Sequence, residues 1–194
     1  MPGLWMPAAL MALMAARLSR AGYATQCFAY RGREPLHANI ERLARYVDGR
    51  PVHFVGHSLG GVLIYDFLQK HPELACGGVV LIGSPVRGCF AGRRLGSAAI
   101  GRWMLGACAE RWGERDAIWR RREPLGVIAG TRALGLGRAL GALPGENDGV
   151  VRVDETIVEG MSERVLLPQG HSMLPVSRRV AGLVQSFISS GRFA

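Results

Sequence analysis

The sequence predicts an α/β protein with a mainly parallel, doubly wound sheet that is covered by helices on both faces. Short runs that are apolar at nearly every position recur along the chain, as is typical of strands buried on both faces. Gly or Pro bounds each run, and segments with helical periodicity lie between the runs. Because strands that alternate with helices pair in parallel, this order indicates a doubly wound sheet.

Five runs are predicted to be strands, and the segments between them are predicted to be helices. The strands are residues 23–30 (YATQCFAY), 51–57 (PVHFVGH), 77–84 (GGVVLIGS), 124–130 (PLGVIAG) and 164–168 (RVLLP). The helices are residues 7–21, 35–47, 59–70, a poorly defined stretch at about 93–122, and 175–189. The first helix is opened by a Pro and followed by Gly22, which is the usual asymmetry of helix ends.

Length and composition are those of one globular domain. The chain has 194 residues, of which 48% are hydrophobic and 20% charged, enough to bury a sizeable core. We therefore expect a single domain over residues 1–194. The apolar run at residues 4–16 is too short to span a membrane and has no basic residue before it. No signal peptide is predicted, and the expected location is cytoplasmic.

The chain is strongly basic, with a formal net charge of +9 at pH 7. All its basic residues except Lys70 are Arg, a bias that the base composition of the gene explains more simply than binding does. No nucleic-acid-binding motif and no zinc-type Cys/His spacing accompanies these residues. We expect no nucleic-acid partner, no metal and no cofactor, and favour a basic surface that faces anionic lipid or substrate.

Ser58 lies where a predicted strand turns into a predicted helix, in the segment FVGHSLGG. Gly56 and Gly60 stand two residues before and two after it, where small residues let the backbone turn sharply. The N–H of Leu59 then points to where an oxyanion would form, helped by the positive end of the helix. Gly-x-Ser-x-Gly between strand and helix predicts a nucleophile elbow. The alternative is a serine N-cap on an ordinary buried helix.

A histidine base and a carboxylate should accompany such a serine. Of the five histidines, His171 follows the last predicted strand in a turn, at the edge where a base can reach the serine. The candidate carboxylates, all between the last two predicted strands, are Glu146, Asp148, Asp154 and Glu155. Asp148 is favoured because it lies in an Asn-Asp-Gly turn, whereas Asp154 fits a solvated edge strand.

Three motifs occur in a fixed order: GHSLGG at 56–61, NDGVV at 147–151 and GHSMLP at 170–175. With them the sequence resembles the α/β-hydrolase superfamily and, within it, the bacterial lipases and esterases. The resemblance covers about residues 3–187 and matches Asp148 to the family's acid. It implies an α/β-hydrolase fold in which Ser58 attacks an acyl carbon, with His171 as base and Asp148 as the acid that orients it.

The resemblance also implies a second oxyanion donor at residues 3–5. Leu4 would donate its N–H there, and Trp5 and His57 would contact the substrate. Pro2 stands where the family has His, and the strand that precedes this turn in the family is absent from the sequence. N-terminal strands are thus expected to be lacking, so the 194-residue chain is expected to be poorly soluble or weakly active alone. The sequence leaves three explanations of the missing strand open. The protein begins upstream of this sequence, another segment fills the gap in the sheet, or the sheet is damaged.

Residues 86–123 are predicted to form a cap over the site. Aromatic and aliphatic residues alternate there with arginines, and they include Phe90, Trp103, Met104, Leu105, Trp112 and Trp119. One interpretation is a lid whose apolar inner face binds an acyl chain or a membrane surface. The other is a helix packed on the sheet with its arginines in water.

The favoured function is that of a serine esterase or lipase, which cleaves carboxylic esters through an acyl-enzyme on Ser58. Its partner would be a small-molecule or lipid ester; the sequence leaves the oligomeric state open. The alternative is a non-catalytic or truncated relative that acts as a binding domain, because a central strand and part of the oxyanion hole are missing. An acyltransferase or thioesterase would resolve the same acyl-enzyme with another nucleophile or substrate.

Overall fold

A computed structural model describes residues 1–134 and 143–194. In these residues four strands form one sheet, β1 (Phe54–His57), β2 (Val79–Ile82), β3 (Leu125–Gly130) and β4 (Glu163–Leu167). The strands pair in chain order, and every pair is parallel. Each pair is therefore joined by a crossover that returns the chain to the same end of the sheet. The predicted α/β class and parallel sheet are confirmed.

Helices connect and cover the strands. The α-helices of the described residues are α1 (Ala8–Arg20), α2 (Leu36–Val47), α3 (Leu59–Lys70), α4 (Phe90–Gly96), α5 (Ala99–Leu105) and α6 (Arg178–Ser190). Short 3₁₀ helices span Gly106–Trp112, Asp154–Thr156 and His171–Val176. None of these helices is long and apolar enough to cross a membrane. The cytoplasmic location stays a prediction.

The sheet has a separate apolar core on each face. Alternate residues of β2 belong to the two different cores. Val79 and Leu81 pack with α2 and α3, whereas Val80 and Ile82 pack with α1 and α6. All positions of β2 and β3 are buried. Because both faces are covered, these strands are apolar at successive positions rather than at alternate ones.

Residues 23–30 do not form the predicted strand; they run as irregular chain beside a groove of about 640 Å³. The groove separates them from β1, and no strand of the described residues lies between to supply ladder hydrogen bonds. Met1 covers part of the β1 edge, where its N–H₃⁺ donates to Val55 O (2.7 Å) and its carbonyl accepts from His57 N (3.0 Å). The described chain has no strand before β1, which agrees with the expected lack of N-terminal strands and shows that the strand predicted at 23–30 is wrong.

The predicted cap at 86–123 is not one helix. It consists of α4, α5 and the 3₁₀ helix Gly106–Trp112, followed by an irregular segment. Trp112 and Trp119 belong to the core on the α3 side of the sheet, whereas Trp103 is exposed. The two interpretations of the cap therefore apply to different residues, since part of the segment is core and part of it faces solvent.

Candidate active site

Ser58 lies between the last residue of β1 and the first residue of α3. Its backbone has φ 54° and ψ −127°, a conformation that non-glycine residues rarely adopt. Ser58 N donates to Ile82 O at the end of β2 (2.9 Å), and Ser58 O accepts from Gly61 N (3.0 Å). A Cβ on Gly56 would lie 2.6 Å from Gly61 Cα, so the turn leaves no room for a side chain. This is the geometry of a nucleophile elbow.

Asp148 and His171 form a buried pair beside this turn. His171 Nδ1 lies 2.7 Å from Asp148 Oδ2, and the two residues are 7% and 1% exposed. The other carboxylate oxygen, Oδ1, accepts from Val150 N (3.0 Å) and Val151 N (2.8 Å). Since Nδ1 carries the proton toward the carboxylate, Nε2 is left as a proton acceptor. Asp148 can thus fix the tautomer that a base needs.

Two glycines place this pair over the carboxyl ends of the strands. A Cβ on Gly130, the last residue of β3, would lie 2.7 Å from Asp148 Cβ. A Cβ on Gly83, which follows β2, would lie 3.2 Å from Asp148 Oδ2 and 3.3 Å from His171 Nδ1. Any larger residue at these positions would displace the pair. Sequence reasoning missed both roles, although Gly130 ends one predicted strand and Gly83 is the last residue but one of another.

The other candidate carboxylates lie elsewhere. Asp154 is exposed and pairs with Arg152, and Glu146 is exposed. Glu155 is buried, but its carboxylate accepts from the backbone N–H groups of Arg152 and Phe90. Burial raises the pKa of Glu155. Of the four candidates, Asp148 alone contacts His171.

His57 links the serine turn to the histidine turn. Its ring is 1% exposed, and Nε2 lies 3.1 Å from His171 O. Nδ1 is buried and has no partner among the described residues. A carbonyl can only accept, so Nε2 must carry the proton and the neutral ring leaves Nδ1 unprotonated. Burial, aided by the nearby His171, lowers the pKa of His57 well below its ordinary value. Because both nitrogens are away from solvent, this geometry favours a positioning role over contact with substrate.

The predicted oxyanion turn crosses directly over the serine. A Cβ on Gly3 would lie 2.9 Å from Ser58 Cβ and 3.4 Å from its Oγ. Trp5 follows in the turn with φ 58° and is 52% exposed. Tyr30 OH donates to Pro2 O (2.8 Å) and holds the segment in place. The sequence pointed to residues 3–5 but missed Tyr30, which closed a predicted strand.

Two backbone N–H groups near Ser58 are candidates for the oxyanion hole. Leu59 is the first residue of α3, and N–H groups in the first turn of a helix have no intrahelical partner. Leu4 lies inside a turn that Met6 N closes on Gly3 O (3.3 Å). The hydrogen bonds of the described residues include none made by Ser58 Oγ, so the contact from serine to His171 is not formed in this structure. Catalytic contacts of this kind often tighten only when substrate binds.

No group of three or more His, Cys, Asp or Glu side chains in residues 1–134 and 143–194 is arranged to hold a metal ion. The convergent groups of the site are a serine, a histidine–carboxylate pair and backbone donors. Together they can transfer a proton and stabilise a negatively charged oxygen, which is the chemistry of acyl transfer.

Comparison with known proteins identifies the family to which the chain belongs. A model of the alpha/beta hydrolase family matches residues 1–183, and the chain belongs to this family. The resemblance seen in the sequence motifs is therefore confirmed. A search of curated proteins finds no match.

Solved structures share the fold at low sequence identity. The mature lipase BlEst2 of Bacillus licheniformis has a TM-score of 0.70 at 16% identity, over 99% of this chain and 90% of the lipase. The esterase RhEst1 from Rhodococcus sp. ECU1013 has 0.63 at 15%, over 98% and 89%. The type II thioesterase BorB from the borrelidin biosynthetic cluster has 0.64 at 16%, over 97% and 88%. These likenesses show the α/β-hydrolase fold.

Proposed function

We propose that the protein is a serine hydrolase that cleaves carboxylic esters through an acyl-enzyme on Ser58. The observation that carries the proposal is the 2.7 Å hydrogen bond between His171 Nδ1 and Asp148 Oδ2, buried beside a serine in an elbow. Membership of the alpha/beta hydrolase family supports it. The substrate would be a small-molecule or lipid ester.

In the first half of the reaction, His171 Nε2 takes the proton of Ser58 Oγ as this oxygen attacks the ester carbon. The carbonyl oxygen becomes an oxyanion, which the N–H groups of Leu59 and Leu4 would stabilise. Asp148 holds the imidazole in the required tautomer and stabilises the imidazolium ion. His171 then gives its proton to the leaving alcohol, and the acyl group stays on Ser58. In the second half, His171 takes a proton from a water molecule that attacks the acyl carbon. The carboxylic acid leaves, and Ser58 Oγ regains its proton from His171.

Trp5 and His57 lie next to the proposed catalytic groups and have different roles toward the substrate. Trp5 is exposed at the oxyanion turn, where its indole would contact the group bound to the scissile carbonyl. His57 is buried behind the turn and would position His171 instead. The same acyl-enzyme can be formed from a thioester or resolved by an acceptor alcohol, and one structural neighbour is named a thioesterase. A thioesterase is therefore the second candidate.

Covalent labelling tests the nucleophile. A fluorophosphonate probe should label the protein at one site, and the protein should hydrolyse a short p-nitrophenyl ester. Ser58→Ala should lose labelling and turnover together, since no other serine has the elbow conformation. Ser172→Ala is the matched control, because Ser172 is an exposed serine next to His171, and it should keep both activities.

The outcomes separate the candidate functions. Labelling that persists in Ser58→Ala would show another nucleophile. A wild-type protein that is neither labelled nor active on esters and thioesters would favour a binding domain instead. Comparing kcat/KM for an oxygen ester and for the matching N-acetylcysteamine thioester distinguishes an esterase from a thioesterase.

A further inference from the structure

The outward side of α5 is apolar. Ile100, Trp103 and Met104 are 67%, 66% and 38% exposed, and their spacing of i, i+3 and i+4 places them on one side of the helix. We call these three residues the α5 face. A helix that packs only on its own protein turns its apolar side inward and its polar side to water. The α5 face does the opposite, which is typical of a surface that contacts something else.

The rotation of α5 is fixed by close packing underneath it. Gly101 and Leu105 are the buried residues of this helix. A Cβ on Gly101 would lie only 1.8 Å from Leu95 O at the end of α4, so the backbones of α4 and α5 are in direct contact. Rotating α5 to bury Trp103 would break this contact. The exposure of the α5 face is therefore built into the packing of the cap.

An arginine from a neighbouring loop packs against the α5 face. The Arg33 guanidinium carbon lies 5.0 Å from the centre of the Trp103 ring, and Arg33 also donates to Trp103 O (2.6 Å). Arg94 on α4 is exposed, whereas Arg102 lies on the other side of α5 and donates to Gly96 O (3.2 Å) and Ser97 O (3.0 Å). The sequences of α4 and α5 contain no Asp or Glu. Of the two glutamates that follow before residue 115, Glu114 pairs with Arg93 (2.8 Å) and Glu110 is exposed. A positive charge, that of Arg33, thus lies directly against the apolar face.

We propose that the α5 face docks on the surface of a lipid bilayer that contains anionic lipid. Ile100 and Met104 would enter the boundary between headgroups and acyl chains, with the Trp103 indole at headgroup level, where tryptophan is enriched. Arg33 and Arg94 would pair with lipid phosphates. The net charge of +9 adds attraction at longer range.

A second copy of the chain fits this face less well than a bilayer does. Two copies that met through their α5 faces would bring the same arginines against one another, and like charges at close range are destabilising. Charge complementarity therefore favours an anionic partner. A flat lipid surface supplies the negative charge and the apolar layer together.

Docking by this face would bring the candidate site near the lipid. The loop that contains Arg33 contacts both the cap and the oxyanion turn. The carbonyl of Arg33 accepts from Ala107 N after α5 (2.9 Å). A Cβ on the neighbouring Gly32 would lie 2.8 Å from Leu4 Cδ1. The inference goes beyond the proposed function and holds for a protein without activity. Ser58→Ala should bind vesicles as the wild type does, so failure of the hydrolase proposal is visible separately.

Vesicle sedimentation tests the proposal. The full chain should sediment with vesicles made of equal parts phosphatidylcholine and phosphatidylglycerol, and much less with phosphatidylcholine alone; added salt should release it. The double variant Ile100→Ser/Trp103→Ser should lower the partition coefficient about tenfold or more, because two apolar side chains that would be buried in the lipid are lost. Arg94→Glu should weaken binding to the anionic vesicles specifically.

Leu166→Ser is the matched control, since Leu166 is a 40% exposed apolar residue on β4, and it should bind like the wild type. Circular dichroism and a cooperative urea transition verify that each variant is folded. Equal sedimentation of wild type and double variant would overturn the proposal. So would a dimer, seen by size exclusion, that the double variant converts to monomer without change in vesicle binding.

Discussion

Ser58 has a backbone conformation that costs free energy, with φ 54° and ψ −127°. Conformations of this kind cost on the order of 1–3 kcal/mol. The hydrogen bonds of its backbone to β2 and α3 and the absence of side chains at Gly56 and Gly60 maintain it. The motif Gly-x-Ser-x-Gly encodes this geometry locally, which is why the sequence alone predicts the nucleophile.

The acid can be tested by a pair of carboxamide variants. Asp148→Asn should lower ester turnover strongly, because the buried amide would favour the wrong tautomer of His171 and leave the imidazolium without a counter-charge. The loss reaches about ten-thousandfold in the serine protease whose triad is best characterised. Asp154→Asn should have little effect, since Asp154 is exposed and pairs with Arg152. A larger loss of kcat/KM in Asp154→Asn would contradict the assignment.

The neutral ring of His57 predicts how stability depends on pH. Burial lowers the pKa of His57 well below its ordinary value, whereas the unfolded chain takes up a proton near pH 6.5. The free energy of unfolding is therefore at its full value above about pH 6.5 and decreases as the pH falls below it. Urea unfolding at neutral and acid pH should show a weaker acid dependence in His57→Gln than in the wild type.

Two controls accompany this measurement. His37→Gln removes an exposed histidine and should leave the pH dependence unchanged.

His57→Leu removes the donor to His171 O, whereas Gln retains one. The Leu variant should therefore lose kcat with little change in KM, and the Gln variant should recover part of it. Equal loss in both variants would mean that the hydrogen bond to His171 does not position the base.

At the scale of elements, one carboxylate connects the cap to α3. Asp66 on α3 accepts from Arg111 Nε (2.6 Å) and Arg115 Nη1 (2.8 Å). Asp66→Ala would leave these guanidinium groups half-buried without a counter-charge. Losing one partner of a buried pair costs about 3–5 kcal/mol, and we expect about 2–3 kcal/mol here because both arginine side chains are partly exposed. Urea unfolding measures the change.

Glu114→Ala is the matched control for this prediction. It breaks the pair with Arg93, in which the Glu114 side chain is 81% exposed. Exposed pairs contribute about 0–1 kcal/mol, so the stability of this variant should be close to that of the wild type. If the two variants were equally stable, Asp66 would not be a structural link between the cap and α3.

Elements whose formation is local were predictable, and those that depend on distant partners were not. The predicted helix at 59–70 coincides with α3, because periodicity and flanking residues determine a helix locally. Residues 23–30 have the composition of a strand but no neighbouring strand to pair with. The cap was predicted as one stretch, and the contact between Gly101 and Leu95 that separates α4 from α5 is not visible in a hydrophobic pattern.

The candidate site was predictable where a motif carries the geometry. The three motifs indicated Ser58, Asp148 and His171, and the structure brings the last two into contact. Gly83, Gly130 and the buried ring of His57 lie in the second layer around them. Their roles depend on how closely three separate turns approach, which one-dimensional spacing does not report.

For the whole molecule, the extent of burial predicts the order of hydrogen exchange. Amides of β2 and β3 should exchange most slowly, because these strands are paired on both sides and buried throughout. Residues 23–30 should exchange early despite their strand-like sequence, since they have no ladder partner in the structure. Exchange followed by mass spectrometry measures this order. Slow exchange at 23–30 would show that the segment is paired in solution.

The parallel topology also determines when the site comes into existence during synthesis. Ser58 precedes His171 by 113 residues (171 − 58), and β4, the strand directly before His171, is the last strand of the sheet in chain order. At about 5–20 residues per second, a ribosome needs roughly 6–23 s to make the intervening chain. Under the proposed function, the nascent protein would carry the nucleophile without its base through that interval. Any acyl chemistry on Ser58 is therefore withheld until the sheet is complete.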